Sequence, residues 1–306
     1  MSLDLAGRLL MLVSEQQIKR VTVIGGEPTV WPHLLSFNQL CHDAGIETTL
    51  VTNGVRFGDE AFWEDFLLRP NTKVAISIKA HDASSTRELT GLTAFGQFVV
   101  GIKRALAHFK TGVSTVFNAG CADSLPDIAR FAMDCGARSL SVSLCTPAVC
   151  GQAVDRTWVM DPKETVTRLV RLYPLLNQIT RGQLTFSMKL PLCLWPKSFI
   201  EMLVHRNQIS TVCQLQQRIG LVFDTDGKLA VCNSLFDFPV GRFGESFSTG
   251  DELVAFMNSA AVTGVYNKLT SYPAKACVGC KMYEKCAGGC PLFWLAFDPS
   301  TLIAGW

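Results

Sequence analysis

The chain has little charge and no block of it. Asp, Glu, Lys and Arg together make up 18% of 306 residues, and Lys plus Arg (28) nearly balance Asp plus Glu (26). A net charge of +2, with no run of five or more basic residues, excludes the electrostatic footprint of a nucleic-acid binder. Long hydrophobic runs are also absent. The longest uncharged stretch, 139–154, contains Pro147, Gly151 and two cysteines, whereas a spanning helix needs about 20 mostly apolar residues. Asp4, Arg8, Glu15, Lys19 and Arg20 interrupt the first residues, so no secretory leader is expected there and the reading is cytoplasmic. Repeats with a period of 20–50 residues and low-complexity tracts are lacking, and the five histidines form no metal-spaced pair.

The abundant features are apolar residues (48%) and cysteine (12). The first supply a sizeable core and argue against disorder. A disulfide framework belongs to small secreted chains with poor cores, so the cysteines read as reduced thiols, several of them metal ligands.

Short β-branched runs at Val21–Ile24, Glu47–Val51, Lys73–Ile78, Val113–Phe117 and Ser139–Leu144 alternate with helical patterns at His33–Ala44, Asp59–Leu68, Gly96–Lys110 and Leu125–Cys135. Strands spaced by such helices are βα units and predict an α/β fold with a parallel sheet. Five strands are too few for a closed eight-stranded barrel, so a partial barrel or open sheet is expected. Leu3, Leu5, Leu9, Leu10, Leu12 and Val13 give a leading helix an apolar face. Asp161–Ile179 reads as a helix that Pro174 kinks or breaks, Gln183–Lys189 as a strand, and Lys197–His205 and Gly250–Asn258 as helices. Leu221–Asp224 and Lys228–Cys232 flank an Asp226-Gly227 hairpin signal. The expected organisation is 1–182, a bridging region 183–212, and a small cysteine-rich domain 213–306.

The strongest chemical signal is Cys277-x2-Cys280-x5-Cys286-x3-Cys290. Four thiols so close together are poor core material, and their spacing lets the backbone wrap one centre. Thiolates hold zinc and iron–sulfur clusters alike. Upstream stands Cys213-x13-Gly227-x4-Cys232, with Cys232 expected on the return strand of the hairpin. A zinc knuckle built from the last four cysteines remains open on spacing alone, as does a role for Cys193 as a further ligand.

The second signal is Gly25-Gly26-Glu27-Pro28 directly after a strand. Two glycines there let a ligand touch the main chain, and Glu27 places a carboxylate where an ammonium group can sit. Asn53, Ser77 with Lys79, and Asn118 end the next three strands, and polar residues at successive strand ends define a ligand mouth. Cys41 and Cys135, on predicted helices, read as buried small hydrophobes.

Together, in this order, the two motifs resemble radical S-adenosylmethionine (SAM) enzymes with a C-terminal SPASM domain, over nearly the whole chain. Gly25, Gly26, Glu27 and Pro28 match that family's SAM-binding motif one for one. Ser77, Lys79 and Asn118 fall at strand ends where it places further cofactor contacts, and Asn53 ends a strand on the same rim. The SPASM pattern matches Cys213, Cys232, Cys277, Cys280, Cys286 and Cys290. The resemblance implies one or two auxiliary [4Fe-4S] clusters, one on Cys213, Cys232 and Cys290 and the other on Cys277, Cys280 and Cys286. It implies a partial (β/α)6 barrel with a SPASM domain carrying a β-hairpin.

By the same resemblance, the reaction is hydrogen abstraction from a peptide or protein side chain by a 5′-deoxyadenosyl radical, fed by a reductant such as flavodoxin or ferredoxin. Two elements of the family pattern do not occur in the sequence. No residue before Gly25 is cysteine, so the Cys-x3-Cys-x2-Cys loop that cleaves SAM and the first barrel strand are expected to be missing, and no cysteine follows Cys290. An N-terminally truncated enzyme is the first reading. A non-catalytic iron–sulfur binding, electron-transfer or peptide-binding relative is the second, and a zinc-stabilised α/β protein the third. Asn233 stands where the sulfatase-maturing branch has an acid, and an amide cannot take up a proton, so that subclass is not expected.

Overall fold

The structure is a computed structural model and describes residues 1–70, 72–151 and 153–304. Its strands run β1 (Arg20–Val23), β2 (Glu47–Thr52), β3 (Lys73–Ser77), β4 (Thr111–Phe117), β5 (Leu140–Leu144), β6 (Ala148–Cys150), β7 (Ala153–Asp155), β8 (Leu184–Ser187), β9 (Ile209–Ser210), β10 (Val222–Phe223), β11 (Lys228–Ala230) and β12 (Gly241–Arg242). Seven of them form one parallel sheet in the order β1-β2-β3-β4-β5-β8-β9. Sequential neighbours joined by helices are the signature of a partial α/β barrel. All five strands expected from the β-branched runs are present in that sheet. Two compact units divide the chain: 2–142 with 172–185, and 143–171 with the residues from Phe186 on, joined by Met1.

In the first unit the sheet is two-faced. Leu50, Ile76, Val113, Thr115 and Val142 are fully buried, whereas the alternate positions Val51, Ala75, Ser77, Ser114, Val116 and Ser141 are only half-buried. Successive side chains of a strand point to opposite faces. One face therefore carries the large apolar residues against the helices. The other carries short side chains that leave room above the backbone. Helix Leu3–Glu15 buries Leu9, Leu10, Leu12 and Val13, the stripe read from its periodicity. Helix Leu34–Asp43 ends before Gly45, whose φ of +66° suits a residue without Cβ. Helix Phe95–His108 lies backbone to backbone on the 3-10 turn Val55–Gly58. A methyl on Gly101 would stand 1.9 Å from the Gly54 carbonyl oxygen.

Helix Pro162–Ile179 continues through Pro174, so the proline does not break it. Proline removes one hydrogen bond of the ladder at a cost of about 3 kcal/mol. Burial of Val166, Leu169, Tyr173 and Leu176 along one side offsets that loss.

In the second unit, β10, β11 and β12 form an antiparallel sheet, and β6 pairs with β7. The Asp-Gly hairpin signal lies between β10 and β11. The return strand stops at Ala230, so Cys232 sits just beyond it rather than on it. The tail from Ala274 is built of single turns: Lys275–Cys277, Tyr283–Cys286 and Pro291–Leu295.

Candidate cofactor and cluster sites

The rim of the first unit is assembled around Glu27. Its backbone is extended (φ −146°, ψ 106°), and it caps the 3-10 turn Pro28–Val30. Oε1 accepts from the Thr29 amide (3.0 Å), the Thr29 hydroxyl (2.7 Å) and the Thr52 hydroxyl (2.6 Å). Oε2 accepts from the Asn53 amide at 2.8 Å. Arg56 adds a hydrogen bond to the Thr29 carbonyl. The carboxylate was expected to meet a ligand ammonium. Here it ties the loop after β1 to the loop after β2, and Oε2, with a single donor, retains accepting capacity. Thr29 was not legible as part of the rim, because nothing distinguishes a threonine after proline until its partner is seen.

Gly25 and Gly26 are exposed, and a Cβ on either would meet nothing within 4 Å. Neither has a positive φ. The turn and the packing thus make no demand for glycine at these two positions, and what remains is an unobstructed main chain at the end of β1.

The other predicted residues are arranged unequally. Asn53 receives Glu27 at its amide, while its side-chain oxygen accepts from the Val55 amide (2.9 Å) and shapes the turn. Ser77 is half-buried on the small-residue face, opposite Ser114 in register, and Lys79 is exposed beyond it. Asn118 is taken up by its own loop: Oδ1 accepts from Gly120 (2.8 Å) and Cys121 (3.1 Å), and Nδ2 donates to the Val116 carbonyl (3.2 Å).

The cysteines of the second unit fall into two neighbourhoods. Cys277, Cys280 and Cys286 line one small pocket. Cys193 and Pro191 line the same pocket. The Leu192 amide donates to Cys286 Sγ at 3.3 Å. Ala287, Gly288 and Gly289 have φ of 48°, 72° and 81°, three consecutive left-handed residues that reverse the chain behind Cys286. A Cβ on Gly288 would stand 2.4 Å from Pro273 Cγ.

Cys213, Cys232 and Cys290 pack against a separate apolar cluster of Leu215, Val231, Leu235, Val262, Tyr266 and Leu292. Asn233 Oδ1 lies 3.6 Å from Cys232 Sγ. Burial pushes the Cys290 thiol up to about 11, and raises those of Cys277 and Cys286 as well. Metal uptake at these thiols therefore releases protons. Among the described residues no three such side chains converge where a single ion would be shared. The donor set, soft thiols lining a pocket with the Leu192 N–H turned to the Cys286 sulfur, is compatible with an iron–sulfur cluster.

No family model and no curated protein matches the chain. Solved structures do. Native anSMEcpe with bound AdoMet and the Cp18Cys peptide is similar at a TM-score of 0.70 and 15% identity, covering 100% of this chain and 84% of that one. Streptococcus suis SuiB bound to S-adenosylmethionine gives 0.69 at 16% identity, covering 97% and 68%. SuiB bound to its precursor peptide SuiA gives 0.67 at 16% identity, covering 97% and 67%. The chain thus has the fold of these AdoMet-bound proteins, a partial α/β barrel with antiparallel hairpin sheets, as the radical SAM/SPASM resemblance implies.

Proposed function

We propose that the chain is a radical SAM/SPASM protein that binds SAM at the Gly25–Pro28 rim, holds iron–sulfur clusters on its distal cysteines and acts on a peptide or protein side chain. The observation that carries this reading is the pair Gly25 and Gly26, whose lack of side chains serves neither turn nor packing and leaves the main chain open to a ligand. The bound AdoMet and peptides of the structural neighbours support the same ligand and substrate class.

When bound beside a reduced cluster, SAM supplies hydrogen-atom abstraction. This chain's residues do the rest. The Gly25 and Gly26 backbone receives the methionine end of the nucleotide, and Glu27 holds that backbone in place through Thr52 and Asn53. The small-residue face with Ala75, Ser77 and Ser114 gives it room. Ser77, Lys79 and Asn53 supply polar contacts at the mouth. Cys213, Cys232 and Cys290 hold one cluster, and Cys277, Cys280 and Cys286 hold the other, with Leu192 N–H steadying the Cys286 sulfur. Residues 1–182 are assigned to SAM and substrate, and 213–306 to the clusters.

A second reading has its own observation. None of the twelve cysteines has the Cys-x3-Cys-x2-Cys spacing, which favours a SAM- or peptide-binding role without SAM cleavage for these 306 residues. Isothermal titration of the anaerobically purified chain with SAM tests the shared core of both. Saturable one-site binding is expected, and no heat of binding at any SAM concentration would end the proposal.

A further inference from the structure

We infer that Cys193 is the fourth thiolate of the centre formed by Cys277, Cys280 and Cys286. This assignment rests on the iron–sulfur reading above and extends it to a residue outside the six-cysteine pattern.

Cys193 is far from the other three in sequence, yet it lines the same pocket. The segment that carries it is fastened to the cysteine tail at three points. The Cys290 amide donates to the Lys189 carbonyl at 2.7 Å. Gly289 lies so close to Pro191 that a Cβ would stand 2.8 Å from Pro191 Cδ. The Leu192 amide, one residue before Cys193, donates to Cys286 Sγ. These contacts hold the 3-10 turn Leu192–Leu194 over the centre.

Other thiols of this unit are placed differently, and the half-buried Cys145 is not among the residues that line the pocket. Cys213, Cys232 and Cys290 share the second neighbourhood, and Cys150 is exposed on β6. Four thiolates close the coordination of a [4Fe-4S] cluster. The Cys277 centre then has no iron position for a substrate atom, and its role is to hold structure or pass electrons.

The test uses the full chain, reconstituted anaerobically in buffer free of small thiols. A background variant with Cys213→Ala, Cys232→Ala and Cys290→Ala isolates the Cys277 centre. It is expected to hold about four irons. Adding Cys193→Ala is expected to remove the cluster, or to leave a three-iron centre with its own electron paramagnetic resonance signal after mild oxidation. Wild-type protein supplies a measurement that needs no variant. Iodoacetamide labelling read by mass spectrometry is expected to find Cys193 protected in the iron-loaded chain and modified after chelation, with Cys150 modified in both. Four irons and an unchanged spectrum without Cys193, or equal labelling of Cys193 with and without iron, would overturn the assignment alone. A wild-type chain that takes up no iron would overturn both the assignment and the cluster reading beneath it.

Discussion

Thr52 donates a 2.6 Å hydrogen bond to the Glu27 carboxylate, joining the ends of β1 and β2 at the rim that is proposed to receive SAM. With the Thr29 and Asn53 donors, Glu27 accepts four bonds and supplies no donor. In Glu27→Gln, an amide keeping its oxygen toward Thr29 and Thr52 must turn its NH2 toward the Asn53 N–H, donor against donor. The loss expected is about 1–3 kcal/mol, the cost of leaving a half-buried polar group unpaired. Urea unfolding measures it. An unchanged midpoint would show that the bonds to Glu27 do not hold the rim.

Two glycine substitutions separate ligand from fold. Gly101→Ala forces a methyl against the Gly54 carbonyl at 1.9 Å, an overpacking expected to cost about 3 kcal/mol or more. Gly26→Ala meets nothing within 4 Å, so thermal stability is expected to stay the same while SAM affinity falls at least tenfold. Calorimetry and thermal melts of both variants check the contrast. Equal SAM affinity in Gly26→Ala would remove the argument from the open main chain.

Cys41 is fully buried on the helix Leu34–Asp43, and burial pushes its thiol up to about 12. The thiolate is the reactive form. Iodoacetamide at pH 8 is expected to leave Cys41 unmodified in the folded chain and to label it in urea. Labelling of the native protein would contradict the packing described for this helix.

Without Cys-x3-Cys-x2-Cys spacing, these 306 residues are expected to produce no 5′-deoxyadenosine from SAM under dithionite. Chromatography of the reaction mixture reads this directly. Product above the protein-free control would place SAM cleavage on one of the distal cysteine centres.

The βα alternation was legible because buried parallel strands are short β-branched runs between amphipathic helices. The pair β6–β7 was not, since Ala153, Val154 and Asp155 are all exposed and show no periodicity. The two-residue β9 is too short to carry a pattern. Cys277 to Cys290 announced itself by local spacing. The approach of Cys193 did not, because proximity there depends on Pro191 and Gly289 packing across about a hundred residues of sequence. Glu27 and Asn53 both stood out at strand ends in the sequence, while the hydrogen bond between them did not. A sequence shows that a carboxylate ends a strand, and only the fold shows which donors meet it.

The most direct measurement of the central claim is iron and acid-labile sulfide per chain after anaerobic reconstitution, with zinc measured in the same sample. Two cysteine neighbourhoods each holding a four-iron cluster give about eight irons, matching sulfide and a brown chromophore. A colourless protein with stoichiometric zinc and no sulfide would contradict the account.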